Sequence, residues 1–443
     1  MLQQALRGDL AAGGHGYLLL GQLVASIEER YLKRWAEAVA SPTFQLGTER
    51  TARAIAAHLL DSGLSPDYLH RWWTYRVRHE PAQRSLADLV AEAHELVRRD
   101  PKEFEVLVAF EAAPRREASM PMEWLEAPQV SEWLKKHGSE TSNIRQGGGL
   151  LLRLKARDPW SAVEQAVEVT ERVGARLAIG ARGRLVPLKH AWVKGEHHKF
   201  PFRRSRRLVE VHALEREQAL YLLTSPSRID QALELLAPLD EGAPGPAVSG
   251  GWAAIETLLV GPGDAGERVV AGDRLATLVA CSFPRAELTT LAYVHCQTAE
   301  DDLARQITNC VRNLDRAKLA AKAITGGSPL SCRDGSDVAA RERMSKLLSN
   351  PGPTLREVER YVRNSLHRLY RQRNLVLHWG RTEAVALRAC LRTAAPLVGA
   401  GIDRIVHAAL VQQLSPLELA AQASVQTGLV GTSVGRSPLE LLE

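Results

Sequence analysis

The segment from Leu355 to Gly380 reads LREVERYVRNSLHRLYRQRNLVLHWG, and it carries the side chains best suited to chemistry. On a helix turning about 100° per residue, Leu355, Val362, Leu366, Leu369, Tyr370, Val376 and Leu377 share one apolar stripe. Arg373 falls in the middle of that stripe. An unpaired cation in a dry core is costly, so Arg373 should have a partner or line a cleft. About a third of a turn away, His367, Asn374 and His378 form a polar ridge, and Asn374 and His378 are spaced to touch. These groups suit phosphodiester chemistry. An imidazole moves a proton near neutral pH. A guanidinium neutralises a phosphate and the charge that builds on it. An amide can orient either group.

The run Arg373-Asn374-Leu375-Val376-Leu377-His378 resembles the R-x4-H motif of HEPN ribonucleases, including the asparagine that often follows the arginine. Upstream, Gly250-Gly251-Trp252-Ala253-Ala254-Ile255-Glu256 resembles the early helix of the Apea-like HEPN group, where a Trp and a Glu sit on one face. The resemblance covers roughly residues 226–412 and leaves out the first 220. It implies a metal-independent RNA endonuclease with no cofactor, in which a ribose 2′-OH attacks the adjacent phosphate and leaves a 2′,3′-cyclic phosphate. It also implies a homodimer, because two motifs usually meet in one composite cleft and this chain shows a single one. By the same resemblance His378 would transfer the proton, Arg373 would clamp the phosphate and Asn374 would orient. Glu256 lies on an apolar helix face with Trp252, Ile255 and Leu259. It is the expected partner of the Arg373 charge, or a further polar group of the site. Long bacterial members of this family are linked to defence against phage by abortive infection, which implies a phage-derived or cellular trigger. A non-catalytic HEPN scaffold or nucleic-acid-binding module is the alternative; a DNA-directed accessory protein is the weaker third reading.

A second basic feature runs from Arg182 to Arg207, with nine Lys or Arg against one acid, Glu196. Trp192, Phe200 and Phe202 are interleaved. Basic residues hold phosphates and aromatics stack on unpaired bases, so Arg203, Arg204, Arg206 and Arg207 are candidate RNA contacts. Arg381, just after the motif helix, and His367 join them. The bland reading is a solvated loop with aromatics tucked into the core, a solvated His367, and an Arg381 favoured by a helix C-terminus. His190, His197 and His198 lack cysteines or acids in ligand register, so no metal site is expected. Gly147-Gly148-Gly149 has no following Lys-Ser/Thr and is no P-loop. Cys281 reads as a buried helix-end cysteine.

The elements that must position these groups follow from periodicity and composition. A chain of 443 residues exceeds one core, so two or more domains are expected. With 45% hydrophobic and 24% charged residues, it is neither mostly disordered nor a disulfide scaffold. The net charge of +6 is mild. Five cysteines without a CxxC pair argue for reduced thiols in the cytosol. No leader-like start and no run of about 18 apolar residues is evident, so a soluble cytoplasmic protein without membrane association is expected. Helical periodicity marks Ile27–Val39, Ala52–Leu60, Leu69–Val77 and Leu86–Val97. Glu105–Phe110 and Leu150–Leu154 read as strands. Asp158-Pro159 opens a helix to about Val173. Arg176–Ile179 and Arg207–His212 could return as strands, and Leu239–Gly251 reads as a loop. Helices follow over Trp252–Val260, Val269–Cys281, Asp301–Ala323, Leu355–Gly380 and Thr382–Val411. A capping box at Ser415–Glu418 opens one more, and the last dozen residues look loose. The expected class is α+β: a helical region 1–100, a small α/β unit 101–225, a HEPN-like helical bundle 226–415 and a tail 416–443.

Overall fold

The computed structural model describes residues 13–41, 47–79, 85–113, 123–137, 144–180, 184–222, 227–264, 269–327, 330–382 and 384–443. The fold is α+β, with helices and a small antiparallel sheet, and the chain divides into two compact units, 1–203 and 204–443.

The first unit begins with α1 (His15–Ala40), α2 (Thr48–Asp61), α3 (Pro66–His79) and α4 (Leu86–Arg98). α2 stops at Gly63, whose φ of +93° a side chain would strain. α4 starts on a capping box: Ser85 Oγ accepts the Asp88 N–H at 3.2 Å, and the Asp88 carboxylate accepts the Ser85 N–H at 2.8 Å. Leu32, Leu59, Leu64, Val90, Ala93 and Leu96 form the small core between them.

The sheet follows: β1 (Lys102–Phe110), β2 (Trp124–Leu125), α5 (Ala127–Lys136), β3 (Gly148–Ala156), α6 (Pro159–Gly180), β4 (Pro187–Val193) and β5 (Phe200–Pro201). Its order is β2-β3-β1-β4-β5, with every pairing antiparallel. β1 is apolar on both faces because both faces are covered. Val106, Val108 and Phe110 pack with Ala162, Val163 and Ala166 of α6. Leu107 and Ala109 pack with Val130 and Leu134 of α5. Arg157 ties the sheet to the helices, donating to the carbonyls of Ser62 and Val97 at 2.6 Å each. Asp158 is buried and accepts the N–H groups of Ser65 at 2.9 Å and Ser161 at 2.8 Å; burial pushes its carboxyl up, and these bonds pull it back. The predicted strand at Arg176–Ile179 is instead the end of α6, which runs to Gly180 although its last buried residue is Thr170.

Every regular element described in the second unit is helical. It comprises α7 (Ala213–Arg216), α8 (Arg228–Glu241), α9 (Pro244–Leu259), α10 (Val270–Thr298), α11 (Asp302–Asn309), α12 (Asn313–Thr325), α13 (Gly335–Ser349), α14 (Pro351–Trp379), α15 (Val385–His407) with a π turn (Ala408–Gln412), and α16 (Pro416–Leu429). α10 is the central helix, packed by α12, α13, α14, α15 and α16.

Five expectations fail here. The helix expected to end at Cys281 runs on to Thr298 as α10, so Cys281 is buried in mid-helix and not at a helix end. Leu239–Gly251 is largely helix, not loop. Pro244 suits the first turn of α9, and the glycines serve packing: a Cβ at Gly250 would lie 2.4 Å from the Leu235 carbonyl, and one at Gly251 2.9 Å from Leu239 Cδ2. Residues 207–212 make no ladder and run as a connector whose Val209 N–H reaches Asp240 at 3.1 Å. The helix expected over Asp301–Ala323 breaks at Cys310 into α11 and α12. The end of the chain is not loose, because Leu439, Leu441 and Leu442 are buried in the same core as α10.

α15 with its π turn is long and apolar enough to cross a membrane by length and composition, yet 56% of its most apolar window is buried inside the protein. Cys281 and Cys390 are also buried, and burial pushes each thiol up to about 11. Both should resist a thiol reagent at pH 8 in the native state and react only on unfolding, whereas Cys296 and Cys310 react first; mass spectrometry of timed alkylation checks this.

Candidate active site

α14 starts on Pro351 and Pro353 in its first turn and ends at Gly380, whose φ of +62° closes the helix with an N–H bond to the Val376 carbonyl at 3.0 Å. Leu355, Val362, Leu366 and Leu369 are buried as the stripe requires. Toward its end the helix leaves the core: Val376 still packs against it, but Leu377 is 52% and Trp379 72% exposed.

That exit changes the environment of Arg373. The expected cation within an oily seam is instead half-buried on the emerging part of the helix. Its Nη1 donates to Asn374 Oδ1 at 3.0 Å. The expected pairing of Arg373 with Glu256 does not occur. Glu256 is half-buried and accepts the Trp252 indole N–H at 2.6 Å. The reason is helix direction. A Cβ at Gly245 would lie 3.7 Å from Val376 Cγ1, while the Trp252 ring lies 5.0 Å from that of Tyr370. α9 and α14 are therefore antiparallel, and Glu256, one turn past Trp252, lies farther from Arg373 along the seam.

His378 sits in the last turn of α14, exposed, with no hydrogen-bond partner among the described residues. Asn374 lies one turn before it on the same side. His367 belongs elsewhere. Its Nε2 lies 2.8 Å from Asp273 Oδ1 on α10, a carboxylate that Arg363 also approaches at 3.2 Å. Arg363 in turn pairs with Glu359 at 2.5 Å, which accepts the Thr277 hydroxyl at 2.9 Å. His367 is thus part of a network joining α10 to α14 and is not free for RNA. The Glu359–Arg363–His367 spacing of four and four was the unread signal of that network.

Of the other candidate RNA contacts, Arg381 is exposed just beyond Gly380. Arg203 is exposed and Arg204 is half-buried. Arg206 pairs with Asp240 at 2.7 Å, and Arg207 donates to the carbonyls of Leu239 at 3.0 Å and Gly242 at 2.8 Å. Both cations therefore finish the C-terminus of α8, where the helix dipole favours them. Arg182 lies outside the described residues. The aromatics of this run are no stacking platform: Trp192, Phe200 and Phe202 are 4%, 0% and 9% exposed. Trp192 on β4 packs into one face's core and Phe200 on β5, with Phe202 just after it, into the other.

No cluster of three or more His, Cys, Asp or Glu side chains that could hold a metal ion occurs among the described residues. What the end of α14 offers is a guanidinium bonded to an amide, an open imidazole and the exposed Arg381 just beyond. Comparison with protein-family models, with curated proteins and with solved structures finds no match to this chain.

Proposed function

We propose that the second unit is a HEPN-type endoribonuclease that cuts RNA without a metal ion. One observation carries the reading. Arg373 and His378 lie at the emerging end of a long helix, one half-buried and bonded to Asn374, the other open, and neither is neutralised by a carboxylate among the described residues. His378 takes the proton of a ribose 2′-OH. The 2′-oxygen bonds to the adjacent phosphorus, the bond to the 5′-oxygen breaks, and that oxygen leaves with a proton from a second imidazole. Arg373 holds the phosphate as negative charge builds on it. The products are a 2′,3′-cyclic phosphate and a 5′-OH. Because one chain supplies one His378, two copies sharing a cleft supply base and acid, so the working species is a homodimer. Glu256 supports the fold beside the site and does not enter the reaction. In a cytoplasmic defence role, a phage-derived or cellular trigger would act through the remainder of the chain.

The test is cleavage of end-labelled single-stranded RNA with product ends mapped. Cyclic-phosphate ends and activity retained in EDTA are expected. A strict requirement for Mg²⁺, or 5′-phosphate products, would overturn the mechanism. Salt-sensitive RNA binding without cleavage would leave a nucleic-acid-binding module.

A further inference from the structure

The second unit also holds a cavity of about 1120 Å³ that the proposed cleavage chemistry does not use. Residues of α10, α12, α15 and the connector at Leu208–His212 line it. Its most enclosed cation is Arg404, only 5% exposed. Arg404 Nη2 donates to Gln412 Oε1 at 3.3 Å and to the Leu442 carbonyl, and its Nε has no hydrogen-bond partner. Both acceptors are neutral. A buried guanidinium with an idle donor and uncharged partners is costly unless something else meets it.

Two more arginines converge there. Arg285 and Arg312 both hold the Glu443 carboxylate, Arg312 at 2.8 Å. The other carboxylates of the cavity are committed. Glu217 serves Arg216 at 2.9 Å and His407 at 3.0 Å, Asp403 accepts the Ala213 N–H at 2.7 Å, and Glu210 lies 3.1 Å from His212. Two guanidiniums thus share one carboxylate, and Arg404 lies close enough to feel its charge without pairing with it. Burial, then repulsion from Arg285, brings Arg404 down to about 10. Tyr293 supplies a flat face, with Arg316 over its ring at 5.3 Å, and Phe283 and Leu397 add apolar wall. At the rim Leu208 holds φ +59°, a strained conformation of the kind that collects at binding sites.

We propose that this cavity binds a small phosphate-bearing ligand with a flat ring, of nucleotide size, whose phosphate is taken by Arg404, Arg285 and Arg312 where the Glu443 carboxylate now sits. The volume suits such a ligand, since pockets for molecules of this size run to about 1,000 Å³. Planar guanidinium forks match phosphate oxygens in pairs, and an anion beside Arg404 offsets its buried charge. Glu443 is then an internal competitor: it neutralises the arginines when the site is empty and yields to a more highly charged anion.

Calorimetric titration of the full chain with ADP, pyrophosphate and adenosine tests this. ADP should bind with a Kd well below about 1 mM, pyrophosphate should compete with it, and adenosine should not bind. Arg404→Gln should weaken ADP binding about tenfold or more, the loss expected for a charge-assisted bond. Arg312→Gln, at an exposed position, should do the same without threatening the fold. Glu443→Gln should tighten binding at least about threefold, as the competitor loses its charge. Failure of ADP and pyrophosphate to bind below about 1 mM, adenosine binding as tightly as ADP, or binding indifferent to both Arg312→Gln and Glu443→Gln would overturn the proposal. Neither RNA nor cleavage enters the measurement, so it stands or falls apart from the nuclease reading.

Discussion

If the proposed chemistry holds, His378→Ala and Arg373→Ala should each lower single-stranded RNA cleavage at least about 10²-fold. Removal of a proton-transfer group alone is worth about 10²–10⁴ in rate, and loss of a charge-stabilising donor about 10²–10³. Stability should scarcely move in the first case, because His378 is exposed and makes no hydrogen bond to a described residue. Surface substitutions of that kind stay within about ±0.5 kcal/mol. Arg373→Lys should recover little activity, since an ammonium lacks the planar fork. Asn374→Ala should cost less than either, as it frees the guanidinium from its 3.0 Å bond without removing the charge. Initial rates of cleavage beside thermal melting curves separate these outcomes. Full activity in His378→Ala would end the assignment of proton transfer to that ring.

Trp252→Ala should destabilise the second unit by about 3–5 kcal/mol, the range for deleting a large buried aromatic side chain. Trp252 is 0% exposed, its ring lies 5.0 Å from Tyr370, and its indole N–H serves Glu256. It also fills the space over Gly272, where a Cβ would stand 3.1 Å from the ring. Trp252→Phe keeps much of the packing but strands the Glu256 carboxylate, costing about 1–3 kcal/mol. Glu256→Gln retains an acceptor for the indole and should lower stability and activity little. Denaturant melts with constant slope are the measurement. A loss below about 1 kcal/mol in Trp252→Ala would show that the α9–α14 seam does not depend on this ring. A selective collapse of cleavage rate in Glu256→Gln would return that carboxylate to the chemistry.

The helices were legible in the sequence wherever one face was apolar over several turns, as in α4 and α14. β1 was legible as a short apolar run because α5 and α6 cover both its faces. What misled was a residue type with two uses. Gly250 and Gly251 look like loop residues, yet they let α8 and α9 approach closely. Pro244 likewise looks like a breaker and stands where a helix begins. At the site, the Arg373–His378 motif was read from spacing alone, but a helical wheel cannot tell where a helix quits its core. Arg373 therefore looked enclosed when it is half-buried. Nor can a wheel give the direction of a neighbouring helix, which is what keeps Glu256 from Arg373. The arginine-lined cavity left no signal in any local window. Its residues come from Arg285, Arg312, Arg404 and Glu443, which are far apart in sequence and are joined only by the fold.

The sheet of the first unit is flanked by β2 and β5, each two residues long, and β5 carries Pro201, which has no amide hydrogen. β2 covers β3 only at Gly149 and Leu150, and the rest of that strand carries exposed Arg153 and Lys155, charges of the kind that guard a sheet edge against aggregation. Any association between copies would thereby be steered toward side-chain surfaces of helices, where shape and charge can select one partner, and away from backbone templating, which would accept any extended segment.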